Sequence, residues 1–106
     1  MRLTTQDNFC DYRVTKTLGI VRGNTIRARH VGKDILAGLR NIVGGEVKEY
    51  TKMLAESREQ ALDRMEKEAE DMEADGVVCI RFVTSQIMQG SAELLVYGTA
   101  VKLEKK

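Results

Sequence analysis

The chain of 106 residues carries 17 basic and 16 acidic side chains, and its net charge of +1 offers no general attraction for nucleic acids or anionic membranes. Hydrophobic residues make up 42% and charged residues 31%, a composition that predicts one globular domain over residues 1–106 rather than a disordered chain. The sequence contains no run of about 18 apolar residues, so no membrane span is predicted. Without an apolar signal-peptide core and with only two cysteines, we expect a cytoplasmic protein without a disulfide framework.

Residues 1–10 are polar apart from Leu3 and Phe9, which predicts a mobile start or a short edge strand. The first long element predicted is a strand from Tyr12 to Arg27. The alternation would place three apolar side chains on one face: Val14, Leu18 and Ile20. Gly19 and Gly23 within the strand predict a bend or a close approach of another backbone. Apolar residues at helical spacing then predict a short helix over residues 32–41, which ends at Gly44 and Gly45.

A long amphipathic helix is predicted from Glu46 to Ala74. At about 1.5 Å per residue it would extend roughly 43 Å, more than a typical strand of about 18 Å can cover. Part of its apolar face therefore needs another surface, which a second copy of the chain would supply. Acidic residues are concentrated at its C-terminal end, where the helix dipole is negative and a nearby cation would be favourable: Glu70, Asp71, Glu73 and Asp75. The cation could be a basic side chain of a neighbouring subunit, a counterion from solvent or a hard divalent ion.

Two further strands are predicted, from Val77 to Val83 and from Glu93 to Leu103, joined by a turn over Gln86–Ser91. The fold class is thus α/β (α+β), with helices packed on one face of a three-stranded, mainly antiparallel sheet in the order β-α-β-β. Both faces of the last two strands carry apolar side chains. A ring of copies whose sheets join edge to edge would cover the face without helices.

Four segments in order along the chain are similar to the YbjQ-like family of small bacterial and archaeal proteins: Gly19–Gly23, Gly38–Gly45 followed by Tyr50, Asp75–Phe82, and Gly98–Val101. The resemblance implies a dodecin-subunit-like fold, a pentameric ring with a barrel of strands, no established enzymatic activity, and the family label "putative heavy-metal-binding". Two residues depart from the family pattern, because Glu73 and Cys79 stand where glycine is common.

Metal binding is the first chemistry to weigh. Structural zinc sites take about four closely placed ligands, whereas Cys10, His30 and Cys79 are isolated in the sequence. No metal site is therefore assigned and no cofactor is predicted. These three residues are the candidates for a divalent or heavy metal, with a ring bringing ligands from several subunits together. Cys79, between Val78 and Ile80, is also explained as a small buried apolar residue.

A small-ligand site is predicted where Gly44 and Gly45 precede the long helix, because backbone amides at a helix start bind anions. Arg40 and Tyr50 would complete it. A corner between two helices accounts for the glycines equally well. The basic cluster over residues 22–33 has no interleaved aromatic side chains, so we expect no nucleic-acid partner.

These observations predict a homo-oligomeric, pentameric binding or scaffold module that is not an enzyme. One alternative is a heavy-metal-binding protein with ligands assembled at subunit interfaces. A further alternative is a small-molecule enzyme with an active site at the interface.

Overall fold

The computed structural model describes residues 1–27, 48–88 and 91–106. Its elements are the strands β1 (Arg2–Leu3), β2 (Tyr12–Arg27), β3 (Gly76–Met88) and β4 (Ser91–Lys105) and the helix α1 (Lys48–Asp71). The short helix predicted over residues 32–41 lies outside the described residues. In the described part of the chain, no helix is both long enough and apolar enough to cross a membrane.

The strands form one sheet in the order β1-β3-β4-β2, in which β1 is parallel to β3 and the other neighbours are antiparallel. The predicted α/β class and β-α-β-β order are confirmed, but the sheet has four strands rather than three. Of the two predictions for residues 1–10, the short edge strand is confirmed as β1. The predicted three-stranded sheet left it out because two residues are too few to produce an alternating pattern. Backbone hydrogen bonds hold β1 at the edge, from Arg2 N to Asp75 O (3.3 Å) and from Thr4 N to Val77 O (3.1 Å).

The β3–β4 hairpin extends further than the sequence indicated. Pairing continues through Gln86 with Ala92 and Met88 with Ser91, so β3 and β4 occupy most of the predicted turn. The turn was predicted over these residues because the segment contains Gly90. Antiparallel strands tolerate polar residues on a face that meets water, so the polar residues of this segment are compatible with continued pairing.

A bulge in β2 corrects the predicted placement of its side chains. The register with β4 shifts between Thr17 and Gly19, and Gly19 has a φ of 140°. An extra residue in one strand moves the following side chains to the opposite face. Leu18 therefore packs against the core, while Ile20 lies on the other face and is 68% exposed.

The helix contacts the sheet through small residues. Ser57, Ala61, Met65 and Ala69 are buried and follow one another at four-residue steps, which places them on one helix face. A Cβ built on Gly23 would overlap the carbonyl oxygen of Ala61 and lie 2.5 Å from the Met65 nitrogen. Helix and strand backbones are therefore in direct contact at Gly23.

The helix runs antiparallel to β2 along its length. Thr25 Oγ1 donates a hydrogen bond to Ser57 O (3.4 Å) at one end, and a Cβ on Gly19 would contact Met72 at the other (3.7 Å). Because β2 forms one edge of the sheet, the helix packs over that edge rather than over the centre of the sheet. The buried cluster between them consists of Val21, Ala61, Met65, Ala69, Val77, Ile80, Val96 and Ala100.

Replacing Gly23 with alanine is expected to destabilise the protein by about 1–3 kcal/mol or more, because the new methyl group meets helix backbone that cannot rotate away. Urea unfolding at a fixed protein concentration measures the change. Thr17→Ala, an exposed site in the same strand, is the control and should change the free energy of unfolding by less than about 0.5 kcal/mol. Equal effects of the two substitutions would contradict the close contact.

Candidate functional site

The N-terminal segment that follows β1 is fixed to the outer side of β3. Ile80 N donates to Thr4 O (3.2 Å) and Cys79 N donates to Gln6 O (2.9 Å). The guanidinium of Arg81 donates from Nη1 to Thr5 O (2.8 Å) and to Ile80 O (2.8 Å). Backbone and side-chain bonds together therefore set the position of this segment beside Cys79.

The same segment then turns into β2 and carries Cys10 with it. Tyr12 N donates to Phe9 O (3.3 Å), which closes a four-residue turn with Cys10 and Asp11 at its centre. Lys106 N donates to Asp11 O (3.0 Å), so the C-terminus holds the turn from the other side. Cys10 is thus attached to a braced turn.

Cys10 and Cys79 line the same cavity, although 68 residues lie between them in the sequence. The cavity has a volume of about 530 Å³ and also has charged side chains in its lining: Asp7, Arg81 and Lys106. Both cysteines are free thiols, Cys10 exposed and Cys79 half-buried. Cys79 is therefore not the buried apolar core residue that one interpretation of the sequence gave.

Glu73 and Cys79, the two departures from the family pattern, share an unusual backbone conformation. Their φ angles are 61° and 57°, in the left-handed region that favours glycine. Glu73 ends the helix in a Schellman motif: its amide donates to Glu70 O (2.9 Å), and the Ala74 amide donates to Ala69 O (3.0 Å). Cys79 lies where the register between β3 and β4 shifts, between Val78 and Arg81. The local geometry thus explains why glycine suits both positions.

The donor set fits a soft metal better than zinc. Within residues 1–27, 48–88 and 91–106, no group of three or more His, Cys, Asp or Glu side chains is placed to hold a metal ion. A four-ligand zinc site within one copy is therefore not formed by the described residues. Two thiols on one cavity remain, and sulfur ligands select soft ions. His30, the third candidate, lies outside the described residues.

The predicted small-ligand site cannot be assembled from the described residues. Arg40, Gly44 and Gly45 lie outside them, and Tyr50 belongs to the first turn of α1. This site stays a prediction.

The acidic end of the helix has a structural role in the sheet. Asp75 Oδ2 accepts a hydrogen bond from Leu103 N (2.9 Å), and Asp75 N donates to Val101 O (2.9 Å). Asp75 therefore connects the helix end to β4.

A second functional feature is the sheet face opposite the helix. Cross-strand pairing places Ile20, Ile26, Val83 and Tyr97 on this face, and these side chains are 68%, 60%, 40% and 39% exposed. We call these four residues the open face. On the helix side, the outer part of β3 is also incompletely covered, because Phe82 is 45% exposed and lines a cavity of about 440 Å³ beside Met53 and Leu54.

A family model described as "putative heavy-metal-binding" matches residues 1–104 of the chain. The chain belongs to the YbjQ-like family. A UPF0145 protein of Methanococcus maripaludis is 60% identical over 104 residues, covering 98% of this chain and 93% of the relative. UPF0145 proteins of Archaeoglobus fulgidus and Dehalococcoides mccartyi are 60% and 54% identical, covering 95% and 98% of this chain and 94% and 100% of the relatives. None of these names is that of an enzyme.

A solved structure supports the same fold for this YbjQ-like chain. The crystal structure of a protein of unknown function from Pediococcus pentosaceus, assigned to the DUF74 family, has a TM-score of 0.65 and 16% sequence identity. The match covers 98% of this chain and 98% of the chain in that structure. At this identity the similarity concerns the fold alone.

The sequence named both cysteines but could not place them on one cavity, because the cavity depends on where the N-terminal segment crosses β3. It also missed Arg81 and Lys106 as cavity residues. The usable signal was the pair of positions where glycine was expected, since both proved to have positive φ angles.

Glu73→Gly and Cys79→Gly in the YbjQ-like chain should each raise the free energy of unfolding by about 0.5–1 kcal/mol. The left-handed backbone conformation costs a residue with a side chain about 1–2 kcal/mol, and glycine avoids this cost. The gain exceeds the entropic cost of introducing glycine, about 0.5–1 kcal/mol. Chemical unfolding at one protein concentration measures this. Alanine at the same positions keeps the unfavourable conformation and is the control. Glycine variants less stable than the alanine variants would contradict these backbone conformations.

Proposed function

We propose that this YbjQ-like protein is a homopentameric ring that serves as a cytoplasmic binding or scaffold module and not as an enzyme. The observation that carries the proposal is the open face. Four large apolar or aromatic side chains on one side of a sheet form the kind of surface that marks a protein interface. A second copy of the chain is the partner that this surface fits.

The edges of the sheet supply the second argument for self-association. At one edge, β1 and the following residues pair with the outer side of β3 only up to Ile80. Beyond that point β3 pairs only with β4, on its other side, among the described residues. At the other edge, β2 pairs with β4 on one side only in the described part of the chain. Unpaired edges attract further strands.

The two edges differ, and this favours a ring. A contact between β2 of one copy and β3 of the next is heterologous, and such contacts generate closed rings when the rotation between copies closes. The open face and the partly covered Phe82 would then lie near the joints. The number five comes from the family resemblance rather than from the geometry of one chain.

The shape of the subunit agrees with this proposal. The Cα radius of gyration is 17.1 Å, whereas a compact domain of this length has about 13 Å. A long hairpin and a long helix account for the elongated form. In a ring, neighbouring copies would give these elements the contacts that one subunit lacks.

The proposal that the protein is not an enzyme draws on two observations. No name among the relatives described above is enzymatic. Within the described residues, no three potential acid, base or metal-binding side chains of the His, Cys, Asp and Glu types converge at a metal-binding distance. An active site at the subunit interface is the alternative, and it would need titratable groups from two copies.

Heavy-metal binding is the second candidate function, and it is compatible with a ring. The family description supports it, and the specific observation that favours it is the cavity shared by Cys10 and Cys79. Unlike the interface site anticipated from the sequence, this cavity draws both thiols from one chain.

Combining Ile26→Lys with Val83→Lys should dissociate the assembly, because burying two unpaired ammonium groups in an apolar interface is strongly unfavourable. Sedimentation velocity is the measurement. Wild-type protein should sediment near five times 11.9 kDa, about 60 kDa, and the double variant near 11.9 kDa with its circular dichroism retained.

Glu59→Lys, on the exposed side of α1, is the matched control and should keep the wild-type mass. A double variant that assembles like this control would show that the open face is not the interface.

A further inference from the structure

We propose that Cys10 and Cys79 together bind one soft monovalent ion of the Cu(I) class, in the cavity between the N-terminal turn and β3. This inference rests on the heavy-metal-binding candidate and specifies its site and its ion. It is independent of the ring, because both thiols belong to the same chain.

The first argument is that both thiols are attached to well-anchored backbone. The Cys79 amide donates a hydrogen bond to Gln6 O (2.9 Å), which ties Cys79 to the segment that leads to Cys10. The turn with Cys10 is closed by the bond from Tyr12 N to Phe9 O and braced by Lys106 N. Two ligands that are held in advance lose less conformational entropy when they bind an ion.

The second argument is the number and type of donors. Zinc sites take four ligands in a tetrahedral arrangement, and in the described part of the chain only two sulfur donors line this cavity. Thiolate ligands favour Cu(I) as well as zinc, so the number of donors decides between these two ions. Two thiolates are sufficient for a soft ion that accepts two ligands, and they are insufficient for a structural zinc site.

The third argument is the charge around the thiols. Two thiolates and one monovalent cation carry a net charge of −1, which requires a positive environment. Arg81 and Lys106 both line the cavity and supply positive charge beside the acidic Asp7. The guanidinium of Arg81 is held by Thr5 O and Ile80 O, both at 2.8 Å, and therefore stays at the cavity.

Binding requires no oxidation or reduction. Each thiol releases its proton to solvent as its sulfur bonds to the ion, so two protons leave for each Cu(I) that enters. Binding should consequently weaken as the pH falls. Cys10 is exposed, which gives the ion access from solvent.

The chain provides matched variants for the test. Cys79→Gly removes one thiol while placing glycine at a φ of 57°, where it is favoured, and Cys10→Ser removes the other thiol at an exposed turn. Glu73→Gly makes the corresponding change at a φ of 61° and leaves both thiols in place. It therefore separates a change in stability from the loss of a ligand.

The experiment is an anaerobic titration of the full chain with Cu(I) presented as its coloured bicinchoninate complex. Wild type and Glu73→Gly should each withdraw one Cu(I) per chain. Cys79→Gly and Cys10→Ser should each bind at least about 100-fold more weakly, since loss of a direct ligand exceeds the 10–100-fold cost of losing an outer partner. Bound Cu(I) should also raise the midpoint of thermal unfolding of wild type and Glu73→Gly, and it should leave that of the two cysteine variants unchanged.

Three results would overturn the inference, and they are distinguishable. If both cysteine variants bind Cu(I) as tightly as wild type, the site is wrong while heavy-metal binding itself stands. If Zn²⁺ binds as tightly as Cu(I), the two-ligand soft site is wrong. If wild type takes up neither ion, the site and the heavy-metal-binding candidate both fail.

Discussion

The direct contact between the backbone of α1 and the edge strand β2 at Gly23 determines the arrangement of the rest of the subunit. It is possible because the strand has no side chain at that position, where the helix presents its backbone at Ala61 and Met65. Close backbone packing of this kind fixes the helix over one edge of the sheet. The opposite edge and most of one face are consequently left for other elements to cover.

The chain covers only part of what the helix leaves exposed. Near Gly76, the ring of Phe9 and the side chain of Leu103 lie against the sheet, and Val101 is buried. This cover does not extend across the sheet to β2, where Ile20 pairs with Thr99 and is 68% exposed. It also does not reach Val83 on β3, which is 40% exposed. The same N-terminal segment that protects one end of the sheet also brings Cys10 to Cys79. One local feature thus accounts both for the cavity and for the limit of the protected surface.

Sequence patterns predicted the elements with strong periodicity and failed where a short contact or an extra residue decides the outcome. The limits of β2 were predicted correctly because its alternation is long, and the buried Ala61, Met65 and Ala69 lie within the predicted amphipathic helix. The bulge at Gly19 reversed the face of Ile20, which alternation alone does not reveal.

Long-range contacts account for the remaining differences. The sequence left a short edge strand as one of two interpretations of residues 1–10, because the two residues of β1 depend on β3 for their pairing. The cavity with Cys10 and Cys79 was missed for a similar reason, since its lining residues come from segments distant in sequence. The sequence identified Glu73 and Cys79 as positions where glycine is common, but only their φ angles explain why glycine is favoured there.

The central claim is that the sheet of one copy is completed by another copy along β2. Residue-resolved amide hydrogen exchange of the full chain tests it most directly. Amides of Tyr12–Arg27 that do not bond to β4 should exchange as slowly as amides within the β3–β4 ladder, because hydrogen-bonded amides exchange only when the structure opens. Rapid exchange of these outward amides, with β4 still protected, would contradict the account.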